Sequence, residues 1–212
     1  PEKAKAHHAV ITAAGRRYMD APVSGGTLGA AQATLSIMAG GSSEDFEYAQ
    51  PIFGVLGTAT HIGPNSTGQM AKLANQTIVG ITIGAVSEAL LLAAAGGADP
   101  VAVKEALSGG FAGSRILELH GQRMIDRDFA PGATSRVQLK DLKTILDTAK
   151  QQQLTLPLTE QVFEQYQQLI RKGGEKYDHS ALLLQLEDIN APHKVGAAGP
   201  LLTSDNSPQE HD

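Results

Sequence analysis

The residues best suited to chemistry sit in one apolar stretch. From the Asn65-Ser66-Thr67 caps to Gly96-Gly97 the sequence reads as a single long helix. Lys72 is its only cation, and no residue between Lys72 and Glu88 is charged. A helix apolar on nearly every face is a buried one, packed in a core or against another subunit. Gly68, Lys72 and Asn75 fall at i, i+4 and i+7, so they share one face. That face offers a notch without a side chain, then an amine, then an amide. A flat, oxygen-rich ligand fits such a face. Burial lowers the pKa of an unpaired amine, which suits a lysine that passes protons near neutral pH. The alternative is a lysine that lays its stem on the helix and reaches water.

The second candidate is Asp20-Ala-Pro-Val-Ser24-Gly25-Gly26. On its own it reads as a tight turn after a strand. The functional alternative is a small anion nest, in which Ser24 and the N–H groups of Gly25 and Gly26 surround a carboxylate.

The elements that must position these residues follow from periodicity and punctuation. Residues 1–15 carry a weak apolar stripe (Ala4, Ala6, Ala9, Val10, Ala13) closed by Gly15, and predict a helix. Arg16 to Val23 predicts a short strand stopped at Pro22 and Ser24-Gly25-Gly26. Leu35 to Ala39 is a second strand. A helix capped by Ser42 or Ser43 runs to about Leu56, with Glu44 and Asp45 where the helix dipole favours acids. Thr60 to Gly63 is a third strand. This alternation fits the end of an α/β sheet. Beyond Gly97 every periodic segment is helical: Asp99-Pro100 to Leu107, Ser114 to Met124, Val137 to Lys150, Pro157 to Lys172, and Ser180 to about Ile189 behind an Asp178 cap. Asp178-His179-Ser180 has the letters of a serine triad, but adjacent residues do not converge on one point. Residues 191–212 lack periodicity and predict a disordered tail.

Composition excludes several classes. The 212 residues carry a net charge of −5 and no basic run beyond Arg16-Arg17, which argues against nucleic-acid binding. There is no cysteine, and the seven histidines lack the i, i+4 spacing of a helical zinc pair, so no metal site is expected. Glu88 and several glycines interrupt the long apolar stretch, so no membrane span is expected from it. The expectation is a soluble, cytoplasmic protein. A dinucleotide-binding fingerprint, Gly-x-Gly-x-x-Gly, is absent from the sequence.

His61-x-Gly63 followed by Gly68-x-x-x-Lys72-x-x-Asn75 resembles the catalytic segment of the β-hydroxyacid dehydrogenases, the 3-hydroxyisobutyrate dehydrogenase family. Asp20 to Gly26 resembles that family's substrate-carboxylate turn over seven consecutive residues. The resemblance implies that Lys72 is catalytic, that Ser24, Gly25 and Gly26 hold the carboxylate, and that Asn75 contacts substrate. Lys140-Asp141-Leu142 is an ordinary exposed step by itself; the resemblance makes Lys140 a contact to the nicotinamide half of the cofactor, NAD or NADP. Ser66 departs from the family pattern, which often has glycine there. Gln76, Gly109-Gly110 with Gly113-Ser114, Leu156-Pro-Leu-Thr159 and Asp178-His-Ser-Ala-Leu182 resemble the tartronate semialdehyde reductase branch.

The resemblance covers about residues 1–190. It implies a mostly α chain: residues 1–63 as the C-terminal part of a Rossmann-type domain, and 64–190 as an all-α catalytic and dimerisation domain like that of 6-phosphogluconate dehydrogenase. The glycine fingerprint is expected in a segment ahead of Pro1. The implied activity is interconversion of a small β-hydroxy acid and its semialdehyde. Tartronate semialdehyde is favoured, 3-hydroxyisobutyrate is the close rival, and a dimerisation module without catalysis is the rival of another class. A homodimer or homotetramer is expected.

Overall fold

The computed structural model describes residues 1–196. The chain divides into two compact units, Pro1–Gln76 and a second beginning at Thr77.

The first unit holds a three-stranded sheet in the order β1-β2-β3. After helix α1 (Glu2–Ala13) comes β1, reduced to Val23–Ser24. Then follow α2 (Gly26–Ala31), β2 (Leu35–Gly40), α3 (Ser43–Gly54) and β3 (Gly57–Gly63). β1 runs antiparallel to β2, with Ser24 opposite Ser36. An isolated bridge joins Asp20 to Gly40 at the other end of β2. The antiparallel segment is therefore 20–24, not the expected 16–23. Pro22 has no N–H to give, but its carbonyl accepts from the Met38 N–H at 2.9 Å, so it sits inside the ladder rather than ending it. β2 and β3 are parallel and joined through α3. Alternation along β2 buries Leu35, Ile37 and Ala39, which meet Phe53 in a small core. Ser42 caps α3 by accepting from the Asp45 N–H at 3.1 Å. Helix α2 was not foreseen; six Gly- and Ala-rich residues with no side-chain cap leave no periodic signal.

Helix α4 (Thr67–Ala95) begins in the first unit and continues into the second. It ends as expected: Gly97 takes φ +82° and the Ala98 N–H returns to the Ala93 carbonyl. In the second unit Ile83, Ser87 and Leu90 on α4 are fully buried. Its glycines are approach points. A methyl on Gly80 would lie 2.7 Å from Gln138 and 3.0 Å from Leu142, and one on Gly84 would meet Val162 and Leu182. By length and composition α4 is apolar enough to cross a membrane. Only 39% of its most apolar stretch is buried: one face packs in the core, while Ile78 and Leu92 are exposed.

The helices around it are α5 (Pro100–Ser108), α6 (Gln122–Asp126), α7 (Ser135–Gln151), α8 (Pro157–Arg171) and α9 (Leu182–Ile189). Asp99 caps α5 through the Val101 N–H. The expected helix over 114–124 is present: helical backbone runs over 115–126, widened to a π-helical turn at Leu117–Gly121 that passes directly into α6. Arg127 makes a two-pronged pair with buried Glu187 at 2.8 and 2.9 Å, and both bond the backbone of Val195. The rest of the expected tail, 197–212, lies outside the described residues.

Candidate active site

The candidate site is built around Asp20, which the sequence marks only as the first residue of a turn motif and to which it assigns no role. It is 4% exposed. Its backbone is locked to Gly40 in both directions: the Asp20 N–H donates to the Gly40 carbonyl at 3.1 Å, and the Gly40 N–H donates back at 2.8 Å. Its carboxylate reaches the start of α4. Oδ1 accepts from the Ser66 N–H at 2.5 Å and Oδ2 from the Gln69 N–H at 2.7 Å. The first helical amides have no partner within their own helix, and a carboxylate is their best one. The sequence expected Asn65, Ser66 or Thr67 to cap α4. The Thr67 hydroxyl instead donates to the Pro64 carbonyl at 2.7 Å, and the capping group comes from 46 to 49 residues upstream. Ser66 sits at φ +78°, a left-handed conformation that accounts for glycine in the family pattern.

The notch at Gly68 is filled by the protein itself, which corrects the ligand-sized gap expected there. A methyl on Gly68 would overlap the Met38 carbonyl and lie 2.8 Å from the Asp20 carbonyl oxygen. This glycine lets α4 pack on the sheet. Lys72 and Asn75 lie on that same helix face, and both are half-buried. The Asn75 Nδ2 donates to Gln76 Oε1 at 2.8 Å, which fixes the amide's orientation.

From Asp20 the chain runs four residues to Ser24. Gly25 has φ +138° and Gly26 φ +64°, so both positions require glycine. Gly25 also begins α2. Ser24, Gly25, Gly26, Lys72 and Asn75 all belong to the first unit. Lys140 belongs to the second; it lies on α7, largely exposed, with its amine 2.6 Å from Asp141 Oδ1.

His61 is structural. Its Nε2 lies 2.8 Å from the Gly41 carbonyl, and its ring stacks on Phe46 at 5.0 Å. A shallow depression between Ser42 and Asn65 lies past the Gly40 end of β2, whereas Ser24 pairs near its start.

In the second unit Asp178-His179-Ser180 forms a clamp that the sequence understated. Asp178 Oδ2 accepts from the Gly132 and Ala133 N–H groups and from Arg123 at 2.8 Å. Its Oδ1 accepts from the Ser180 N–H and from the Ser180 hydroxyl at 2.6 Å, so aspartate and serine do converge. His179 turns the other way: its Nε2 lies 3.2 Å from His120 Nε2 and its Nδ1 lies 3.3 Å from Gln138 Oε1. Burial raises the Asp178 carboxyl, but the His120 imidazole 3.5 Å away and the hydrogen bonds from Ser180 outweigh it and hold the group well below the usual carboxylate range. Burial pushes His179 down to about 4. His120, Asp178 and His179 have metal-ligand residue types. The donors already on Asp178 fill the roughly four lone-pair sites of a carboxylate, so the trio is a hydrogen-bonded clamp.

Two glycine pairs stand between a strand and a helix start among the described residues. Gly25-Gly26, between β1 and α2, is open at Gly26 and belongs to the candidate carboxylate turn. Gly40-Gly41, between β2 and α3, is closed by its neighbours. A methyl on Gly40 would lie 2.7 Å from Asp20 Oδ1, and one on Gly41 2.7 Å from Met19 Cγ.

Comparison with known proteins follows this geometry. Residues 66–186 match the family model for the NAD-binding segment of NADP-dependent 3-hydroxyisobutyrate dehydrogenase. The chain belongs to the 3-hydroxyisobutyrate dehydrogenase family. Residues 1–64 match the model for the NAD-binding domain of 6-phosphogluconate dehydrogenase, and the cofactor of these segments is NAD or NADP. The 2-hydroxy-3-oxopropionate reductase of Escherichia coli (strain K12) is 51% identical over 182 residues, 85% of this chain and 62% of that protein. A probable 3-hydroxyisobutyrate dehydrogenase-like protein of Arabidopsis thaliana is 38% identical over 81% of this chain and 52% of its own length. The crystal structure of 3-hydroxyisobutyrate dehydrogenase from Salmonella typhimurium superposes with a TM-score of 0.79 at 30% identity, covering 85% of this chain and 64% of that one. This chain thus spans between half and two thirds of each.

Proposed function

We propose that this chain is the substrate-handling part of an NAD(P)-dependent reductase that interconverts a small β-hydroxy acid and its semialdehyde. The favoured substrate is tartronate semialdehyde, which is 2-hydroxy-3-oxopropionate. The observation that carries the reading is the direct tie between the two motifs: Asp20, at the head of the Ser24-Gly25-Gly26 segment, holds the first turn of the helix that bears Lys72 and Asn75. The 51% identity to a 2-hydroxy-3-oxopropionate reductase supports the choice of substrate.

The roles follow from the groups. Ser24 and the N–H groups of Gly25 and Gly26 hold the substrate carboxylate. The Asn75 amide orients the aldehyde or hydroxyl oxygen. Lys72 gives that oxygen a proton in reduction, takes it back in oxidation, and stabilises developing alkoxide charge. The redox chemistry belongs to the nicotinamide cofactor. Lys140 is assigned as a cofactor contact. We assign residues 1–63 to the end of the nucleotide domain and 64–190 to the helical domain.

A panel of small semialdehydes assayed with the full-length protein tests the substrate. Tartronate semialdehyde should show the highest kcat/KM. Preference for the methyl-bearing semialdehyde would favour the 3-hydroxyisobutyrate reading, which the Arabidopsis relative keeps in view. We also assign a homodimer or larger assembly, since Ile78 and Leu92 on α4 are 67% and 76% exposed. Light scattering that finds a monomer at micromolar concentration would remove that assignment.

A further inference from the structure

We propose that Asp20 is a positioning residue for Lys72: its carboxylate fixes where the lysine's helix starts relative to the turn that binds substrate carboxylate. The inference rests on the roles proposed above for Lys72 and for Ser24 to Gly26.

Four observations carry it. Both Asp20 carboxylate oxygens are committed to the helix start, one on Ser66 and one on Gln69, so the contact fixes the helix in rotation as well as position. Gln69 is three residues before Lys72, less than one helical turn. The surroundings leave the carboxylate no second place to go. A methyl on Gly40 would stand 2.7 Å from Oδ1 and one on Gly68 2.9 Å from Oδ2, so only bare backbone fits on either side. The segment from Asp20 to Ser24 is anchored along its length, through Gly40 at one end, Met38 at Pro22, and Ile37 and Ser36 at Val23 and Ser24. There is no free joint in it.

A helix cap needed for stability alone is usually local, from a Ser, Thr, Asp or Asn at the cap position. Asn65, Ser66 and Thr67 were available, yet the acceptor comes from the substrate strand. Ser66 is held left-handed to present its N–H to that acceptor. Misplacing a reacting group by about 1 Å can cost on the order of a hundredfold in rate. Asp20 sets a placement of that order without touching substrate.

The test is a double-mutant cycle in the full-length enzyme with Asp20→Asn, Lys72→Ala and the pair. Asparagine keeps the size but turns an N–H₂ toward one of the two helix amides. Asp20→Asn should lower kcat at least tenfold and leave KM within about threefold, because the carboxylate turn keeps its own strand pairing. In the Lys72→Ala background the same change should have little further effect, since it acts through the lysine. Asp20→Ser, in which a water can complete the contact, serves if asparagine does not fold, and should show the same split. A lowered Tm with kcat and KM unchanged would overturn the inference. So would an equal loss of kcat in both backgrounds. Near-normal turnover of Lys72→Ala alone would defeat the proposed function, and the positioning role with it. An inactive Lys72→Ala beside a fully active Asp20→Asn would defeat the positioning role only.

Discussion

The buried His179 makes stability depend on pH in a calculable way. Its imidazole is 8% exposed. Burial is the largest influence on it and disfavours the charged form; His120 and Arg123 add to that, while Asp178 and Asp141 oppose it. The result is a folded value of about 4 against an ordinary 6.5. A histidine depressed in the folded state is neutral there, while the unfolded chain takes up a proton below its own pKa. Stability from this group is therefore full above about 6.5, falls as the pH drops, and stops falling near 4. The full span is roughly 3 kcal/mol, and from pH 7.5 to pH 5 the loss is about 2 kcal/mol, at 1.36 kcal/mol per unit. Asp178, with its carboxyl held low, contributes in the opposite range: its share is present above the ordinary carboxylate pKa and is lost only in stronger acid. The two windows barely overlap. Urea unfolding of the wild type and of His179→Gln between pH 7.5 and 5 isolates the histidine. The variant should start lower and lose about 2 kcal/mol less over the interval. Parallel curves for the two proteins would refute the reasoning.

Ser66→Gly should raise stability by up to about 1 kcal/mol, because a left-handed serine costs about 1–2 kcal/mol and glycine gives part of that back as chain entropy. Thermal unfolding reads this directly, and a lower Tm would mean that the serine side chain contributes more than its backbone conformation costs. The 212-residue chain alone should show no NADH oxidation with tartronate semialdehyde, because the sequence lacks a Gly-x-Gly-x-x-Gly turn and Gly40-Gly41 is closed by its neighbours. Small carboxylates should still bind it weakly, as NMR shifts at Gly25 and Gly26. Robust turnover by this chain would overturn the cofactor argument.

What the sequence made legible was local. Asp99-Pro100 states the start of α5 in two adjacent letters, Ser42 states that of α3, and Gly97 states the end of α4 by its need for a left-handed turn. The helical second half was legible because each stripe repeats within its own segment. Contacts between segments distant in sequence were not. Asp20 looked like the first letter of a turn motif, yet it caps a helix 46 residues away. Gly68 looked like room for a ligand because a sequence shows a missing side chain but not the strand that fills the gap. His120 and His179 meet across 59 residues, which no spacing rule for neighbouring histidines detects. The same limit explains β1: Pro22 is a local stop signal, and only the carbonyl it lends to Met38 shows that pairing continues past it. The candidate site residues were found through their motif; their geometry came from packing.

The measurement that tests the central claim most directly is turnover of Lys72→Ala in the full-length protein with tartronate semialdehyde. Loss of general acid–base help should lower kcat by roughly a hundredfold or more. KM should change much less, because Ser24, Gly25 and Gly26 still hold the carboxylate. A mutant that turns over at nearly the wild-type rate would make Lys72 a structural residue and contradict the account.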